Sequence, residues 1–156
     1  GEVQRSVQTF TAELRGLMYA LQQNIGRTVL PSCDATLGDA RCGVDLEALR
    51  VSGEVTVATS NRVFTTDVTG SDTYTYGVLT WTTGLNDGRS MEVKMHASAV
   101  MTLQIAMPYA VQVGDEFTVT PGCDKTEANC KLYSNFSRFR GFPDVPGTDA
   151  MLRGGQ

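Results

Sequence analysis

Four cysteines stand in two pairs, Cys33 with Cys42 and Cys123 with Cys130, spaced C-x8-C and C-x6-C. Thiols are the side chains here with the most chemistry to offer. Two pairs can close two disulfides, or four thiolates can hold one metal centre. Turn-forming residues flank them: Pro31-Ser32-Cys33-Asp34, Arg41-Cys42-Gly43 and Pro121-Gly122-Cys123-Asp124. Cysteines so close in sequence are compatible with local loop disulfides. The metal reading requires the two loops to converge. A barrel between them permits that, because closing a barrel brings its first and last strands together. Zinc knuckles use tighter C-x2–4-C spacing. The wider pairs suit a bulkier centre, such as a cubane cluster on four thiolates. Spacing alone leaves both readings open.

The remaining candidates are weaker. His96 is the only histidine, and it ends the alternating run Met91–His96 on the face opposite Met91, Val93 and Met95. That pattern predicts a solvent-facing residue. A hydrolytic triad would need it, but no nucleophile-elbow motif accompanies it, so no catalytic residue is assigned. Asp34, Asp39, Asp45, Asp115 and Asp124 all fall in turn-like segments and read as turn and cap residues. Phe136, Phe139 and Phe142 with Arg138 and Arg140 resemble a single-strand stacking surface. The net charge of −4 and pI of about 4.9 argue against a nucleic-acid partner and for an aromatic tail that docks on its own domain or on a partner.

The elements that must position these residues are mostly strands. With 156 residues, 16 of them glycine, the chain suits one domain with an appendage. Residues 1–16 read as one or two strands that complete a preceding domain. Residues 17–50 read as a helix ended by Gly26, then the first cysteine loop, with a short helical turn over Asp45–Leu49. Residues 51–121 read as a small β-barrel. A hairpin turns at Thr59-Ser60-Asn61, and another at Asn86-Asp87-Gly88. Met101, Leu103, Ile105 and Met107 alternate up to Pro108, and the last strand begins at Glu116. Residues 122–156 read as the second cysteine loop, a helix over Thr126–Tyr133 carrying Cys130, and an extended tail. The fold class is mainly β, a small barrel flanked by two cysteine loops. No apolar run is long enough to span a bilayer. The chain opens on Gly1 without a signal-peptide pattern, which suggests a processed product or the C-terminal part of a longer chain.

The run Cys33-Asp34-Ala35-Thr36-Leu37-Gly38-Asp39-Ala40-Arg41-Cys42-Gly43-Val44-Asp45-Leu46 resembles a motif of a baseplate hub family found in prophages and gene transfer agents. Gly122-Cys123-Asp124-Lys125-Thr126, Cys130, Asn135-Phe136, Phe139-Arg140-Gly141-Phe142-Pro143 and Pro146-Gly147 resemble that family's C-terminal signature. The cysteine pattern is similar to that of tail-tip protein L of lambda-like phages. The resemblance implies a structural protein at the distal end of a siphovirus-like tail, assembled in the bacterial cytoplasm. It implies a homotrimer that links the distal tail protein ring to a central fibre or receptor-binding protein. It also implies an iron–sulfur cluster of the 4Fe-4S type on Cys33, Cys42, Cys123 and Cys130. Family members are longer at the N-terminus. The competing readings are a disulfide-bonded receptor-binding module and an iron–sulfur redox protein.

Overall fold

The structure is a computed structural model that describes residues 3–5, 10–12 and 26–145. The expected helix between residue 17 and Ile25, and the tail beyond residue 145, lie outside the described residues. Near the N-terminus, β1 (Val3–Arg5) and β2 (Phe10–Ala12) pair antiparallel, Val3 opposite Ala12.

Five strands form a closed barrel: β3 (Val51–Ala58), β4 (Val63–Ser71), β5 (Val78–Trp81), β6 (Ser90–Leu103) and β7 (Glu116–Val119). The ring order is β3-β4-β6-β5-β7, and every pairing is antiparallel. The predicted hairpins are present. Ser60 Oγ accepts the N–H groups of Arg62 and Val63 in the β3–β4 turn, and Gly88 takes φ 72° in the β5–β6 turn.

A ring with an odd number of strands cannot alternate direction all the way round. It closes here because β3 and β6 each serve two sheets. Val51–Glu54 of β3 pair with β7, whereas Val55–Ala58 pair with β4, with a register shift between Val55 and Val57. Ser90–Glu92 of β6 pair with β5, and Ala97–Thr102 pair with β4. Strands that switch sheets do so through bulges or bends.

The irregularity in β6 overturns one expectation. Inward side chains alternate only while the pleat is regular. Between Val93 and His96 the phase slips by one residue, so both are fully buried and Met95 is 50% exposed. His96 is a core residue, and Ser98, at φ 57°, lies just beyond it. Ile105 also departs from its expected place. β6 ends at Leu103, and Ile105 lies exposed in the following loop, whereas Met107 turns back into the core. Asp45–Leu49 form a turn rather than a helical segment, with Leu49 N–H donating to Leu46.

Phe64, Trp81 and Phe117 centre the core, with ring centroids 5.3–6.2 Å apart in tilted and edge-on pairs. Such pairs each add about 0.5–1.5 kcal/mol beyond area burial. For the cysteines, the decisive contact is β3 with β7. Val51 lies opposite Val119, so the chain enters and leaves the barrel side by side. The first cysteine loop ends just before β3 and the second begins just after β7.

Candidate functional site

The second loop is anchored at once. Gly122 N–H donates to Thr73 O, and a Cβ built on Gly122 would lie 1.8 Å from Thr75 O. Only glycine fits so close an approach. Cys123 follows, and Asp124 Oδ1 accepts the N–H of Thr126 at 2.8 Å. Thr126 then caps the predicted helix, α1 (Glu127–Leu132), by accepting the Asn129 N–H at 3.2 Å. Glu127 in the first turn and Lys131 in the last suit the helix dipole and pair with each other. α1 buries Cys130 on its inner face.

The first loop is shaped by Asp39. Its carboxylate accepts the backbone N–H groups of Thr36, Arg41 and Cys42 at 2.7–3.0 Å, and the Arg41 guanidinium closes over it. The Cys42 N–H, then that of Thr36, and the Arg41 charge hold its carboxyl down to about 2 against some desolvation. The two loops are joined to each other. Cys33 N–H donates to Lys125 O at 2.9 Å, and Lys125 Nζ reaches back to Ala35 O.

These links bring all four cysteines to one cavity, which Ala35, Val44, Tyr133 and Arg138 also line. It is small, about 20 Å³. All four thiols are free, Cys130 is buried, and the others are half-buried. Among the described residues, no three of His, Cys, Asp or Glu are grouped so as to hold a metal ion. Polar hydrogens point at the sulfurs. Lys125 N–H donates to Cys123 Sγ at 3.4 Å, and Asn135 Nδ2 donates to Cys42 Sγ at 3.5 Å and to Cys42 O at 2.8 Å. Cys130 Sγ donates to Asn135 O. Burial pushes the Cys123 and Cys130 thiols up, and for Cys130 the neighbouring Cys33, Cys42 and Cys123 push it further. A larger open cleft of about 460 Å³, lined by Leu37, Leu46, Tyr76 and Val78, adjoins at Cys123 and Lys125.

Past α1, a 3-10 turn (Phe136–Arg138) leads the chain back across the first loop. Phe142 N–H donates to Leu30 O, Arg140 pairs with Asp34 at 3.0 Å, and Arg27 lies over the Phe142 ring. Asp34 also meets Arg27 at 2.9 Å and Arg41 at 3.7 Å. Desolvation raises its carboxyl, but the Arg140 hydrogen bond and the Arg27 charge outweigh that and lower it. So Asp39, Asp45, Asp115 and Asp124 are turn and cap residues, as their positions implied, and Asp34 is an ion-pair junction. The aromatic tail is not laid out as a base-stacking platform. Phe136 and Phe139 stack on each other, centroids 6.1 Å apart. Neither Asn135 nor Arg138 was assigned to the cysteine centre from sequence. Their three-residue spacing was the available signal, but it becomes meaningful only once the segment is a 3-10 turn.

Residues 72–149, half of the chain, match the phage family described as phage conserved hypothetical protein BR0599. Residues 1–45 match the family described as baseplate hub protein, N-terminal attachment domain. Each match holds one cysteine pair. A chain in a solved virion of a native gene transfer agent (GTA) particle is 33% identical with a TM-score of 0.70. That match covers 100% of this chain and 59% of that one. No curated protein matches the sequence. No helix of the described residues is long and apolar enough to cross a membrane. The chain belongs to the phage family described as conserved hypothetical protein BR0599, and its similarities are to baseplate-type proteins of phage and gene transfer agent particles.

Proposed function

We propose that this chain is the cysteine-stapled part of a tail baseplate hub, and that Cys33, Cys42, Cys123 and Cys130 hold an iron–sulfur cluster of the 4Fe-4S type. The observation that carries the reading is that four free thiols from loops on either side of the barrel line one cavity. The donor set is all sulfur and stands in largely apolar surroundings. A cluster is larger than the present cavity, so its uptake requires the loop walls to part. When bound, it supplies four metal–thiolate links that tie residues 33–42 to residues 123–130. The chain's own residues do the rest. Asp39 shapes the first loop, Gly122 seats the second against the barrel, and Asp34 clamps the returning tail.

The role that follows is mechanical. In this reading a homotrimer joins the distal tail protein ring to a central fibre or receptor-binding protein at the tip of the tail. The similarity to a baseplate hub attachment domain and to a chain of a gene transfer agent virion supports a place in the baseplate. Single Cys→Ser changes test it. If one cluster staples both loops, the four variants share one phenotype, a severe loss of assembled particles, because a centre missing one thiolate is labile. Normal particle yield from Cys130→Ser would overturn the reading.

A further inference from the structure

In a 3-10 helix the side chains at i and i+3 eclipse. The turn after α1 therefore presents two faces. On one, Phe136 and Phe139 stack on each other. On the other, Asn135 and Arg138 reach the cysteine cavity, and Asn135 donates to Cys42. The Arg138 guanidinium rests on the backbone of Gly43. A Cβ at Gly43, which has φ 73°, would meet Nη1 at 2.1 Å.

Within residues 26–145, the other arginines all have partners. Arg27, Arg41 and Arg140 meet Asp34, and Arg50 meets Glu47. Arg62 donates to Leu103 O, and Arg89 lies over Tyr109. The Arg138 side chain has no carboxylate or carbonyl partner among the described residues. A chain of net charge −4 with 17 acidic residues has ample carboxylates to offer it. The Arg138 side chain lines the cavity of the four cysteines, where the Lys125 N–H also donates to Cys123 Sγ.

We propose that Arg138 is a charge-compensating residue of the four-cysteine centre, set at its cavity by the 3-10 turn that also places Asn135 on Cys42. This rests on the reading of the centre as an iron–sulfur site. Net charge and hydrogen bonds around the sulfurs set both the potential and the hold on iron in such sites. The guanidinium favours the more negative, reduced state. Its charge is carried on the tail, so the tail's seat over the first loop depends on the centre's charge.

The test compares the intact protein with R138Q, R138K and R140Q, purified anaerobically. R140Q removes an arginine two residues away that pairs with Asp34 and does not line the cavity. Two quantities are read: the midpoint potential from a spectroscopic titration, and the rate of iron loss to a chelator. R138Q is expected to lower the potential and to speed iron loss by about 10-fold. R138K keeps the potential near that of the wild type, and R140Q leaves it unchanged. If R138Q and R140Q behave alike, the inference about Arg138 falls while the centre stands. If the wild-type protein carries no iron and sulfide, both fall.

Discussion

Asp39 accepts three backbone N–H groups within the first cysteine loop, including that of Cys42 itself. Its carboxyl is lowered from the ordinary carboxylate value of 3.8 to about 2. A depressed acid contributes stability above its unfolded value and loses it as pH falls through the folded one. The loop is therefore expected to loosen on acidification from about pH 5 to about pH 2, read as a lower protection factor of the Cys42 amide, its exchange rate taken relative to the intrinsic rate at each pH. Asp39→Asn should be loose already at the upper pH and change little below it. An Asn variant as protected as the wild type at every pH would contradict this role. His96 makes a second residue-scale case. A solvent-facing position tolerates glutamate, whereas a fully buried one does not. His96→Glu is expected to cost about 3 kcal/mol or more in urea unfolding, and a change within about 0.5 kcal/mol would restore the exposed reading.

At the scale of elements, what was legible in the sequence was local. Asn86-Asp87-Gly88 and Ser60 carry their turn chemistry within a few residues, and Thr126 and Asp124 announce the start of α1 in the same way. The failures were non-local. Nothing near His96 reveals that β6 leaves one sheet for another at that point, and the bend alone decides which side chain turns inward. Ile105 continues an alternating pattern after its strand has ended, because the pairing partner β4 begins only at Val63. The junction between barrel and second cysteine loop was likewise invisible in sequence, since Gly122 packs on Thr75 and Gly77 from another connection. Gly122→Ala is expected to destabilise the protein by about 2 kcal/mol or more and to increase accessibility of Cys123 to thiol reagents. Unchanged stability and accessibility would show that the loop is not seated there.

For the whole molecule, the pairing of β3 with β7 connects topology to chemistry. It sets the two cysteine loops side by side although some 80 residues (42 to 123) separate them in sequence. The identity of the four cysteines could be read from their spacing and from family resemblance. What surrounds them could not. Asp34 meets Arg140 across 106 positions, and Asn135 meets Cys42 across 93. Such contacts are products of the closed barrel and leave no periodic trace in the chain. The four thiols are proposed to act together on one cluster. This is tested most directly by iron and labile-sulfide analysis, with an absorption spectrum, of protein purified without oxygen. The expected result is a coloured protein with iron and sulfide in equal amounts, about four of each per chain. A colourless protein whose unreduced mass shows Cys33–Cys42 and Cys123–Cys130 disulfides would contradict it.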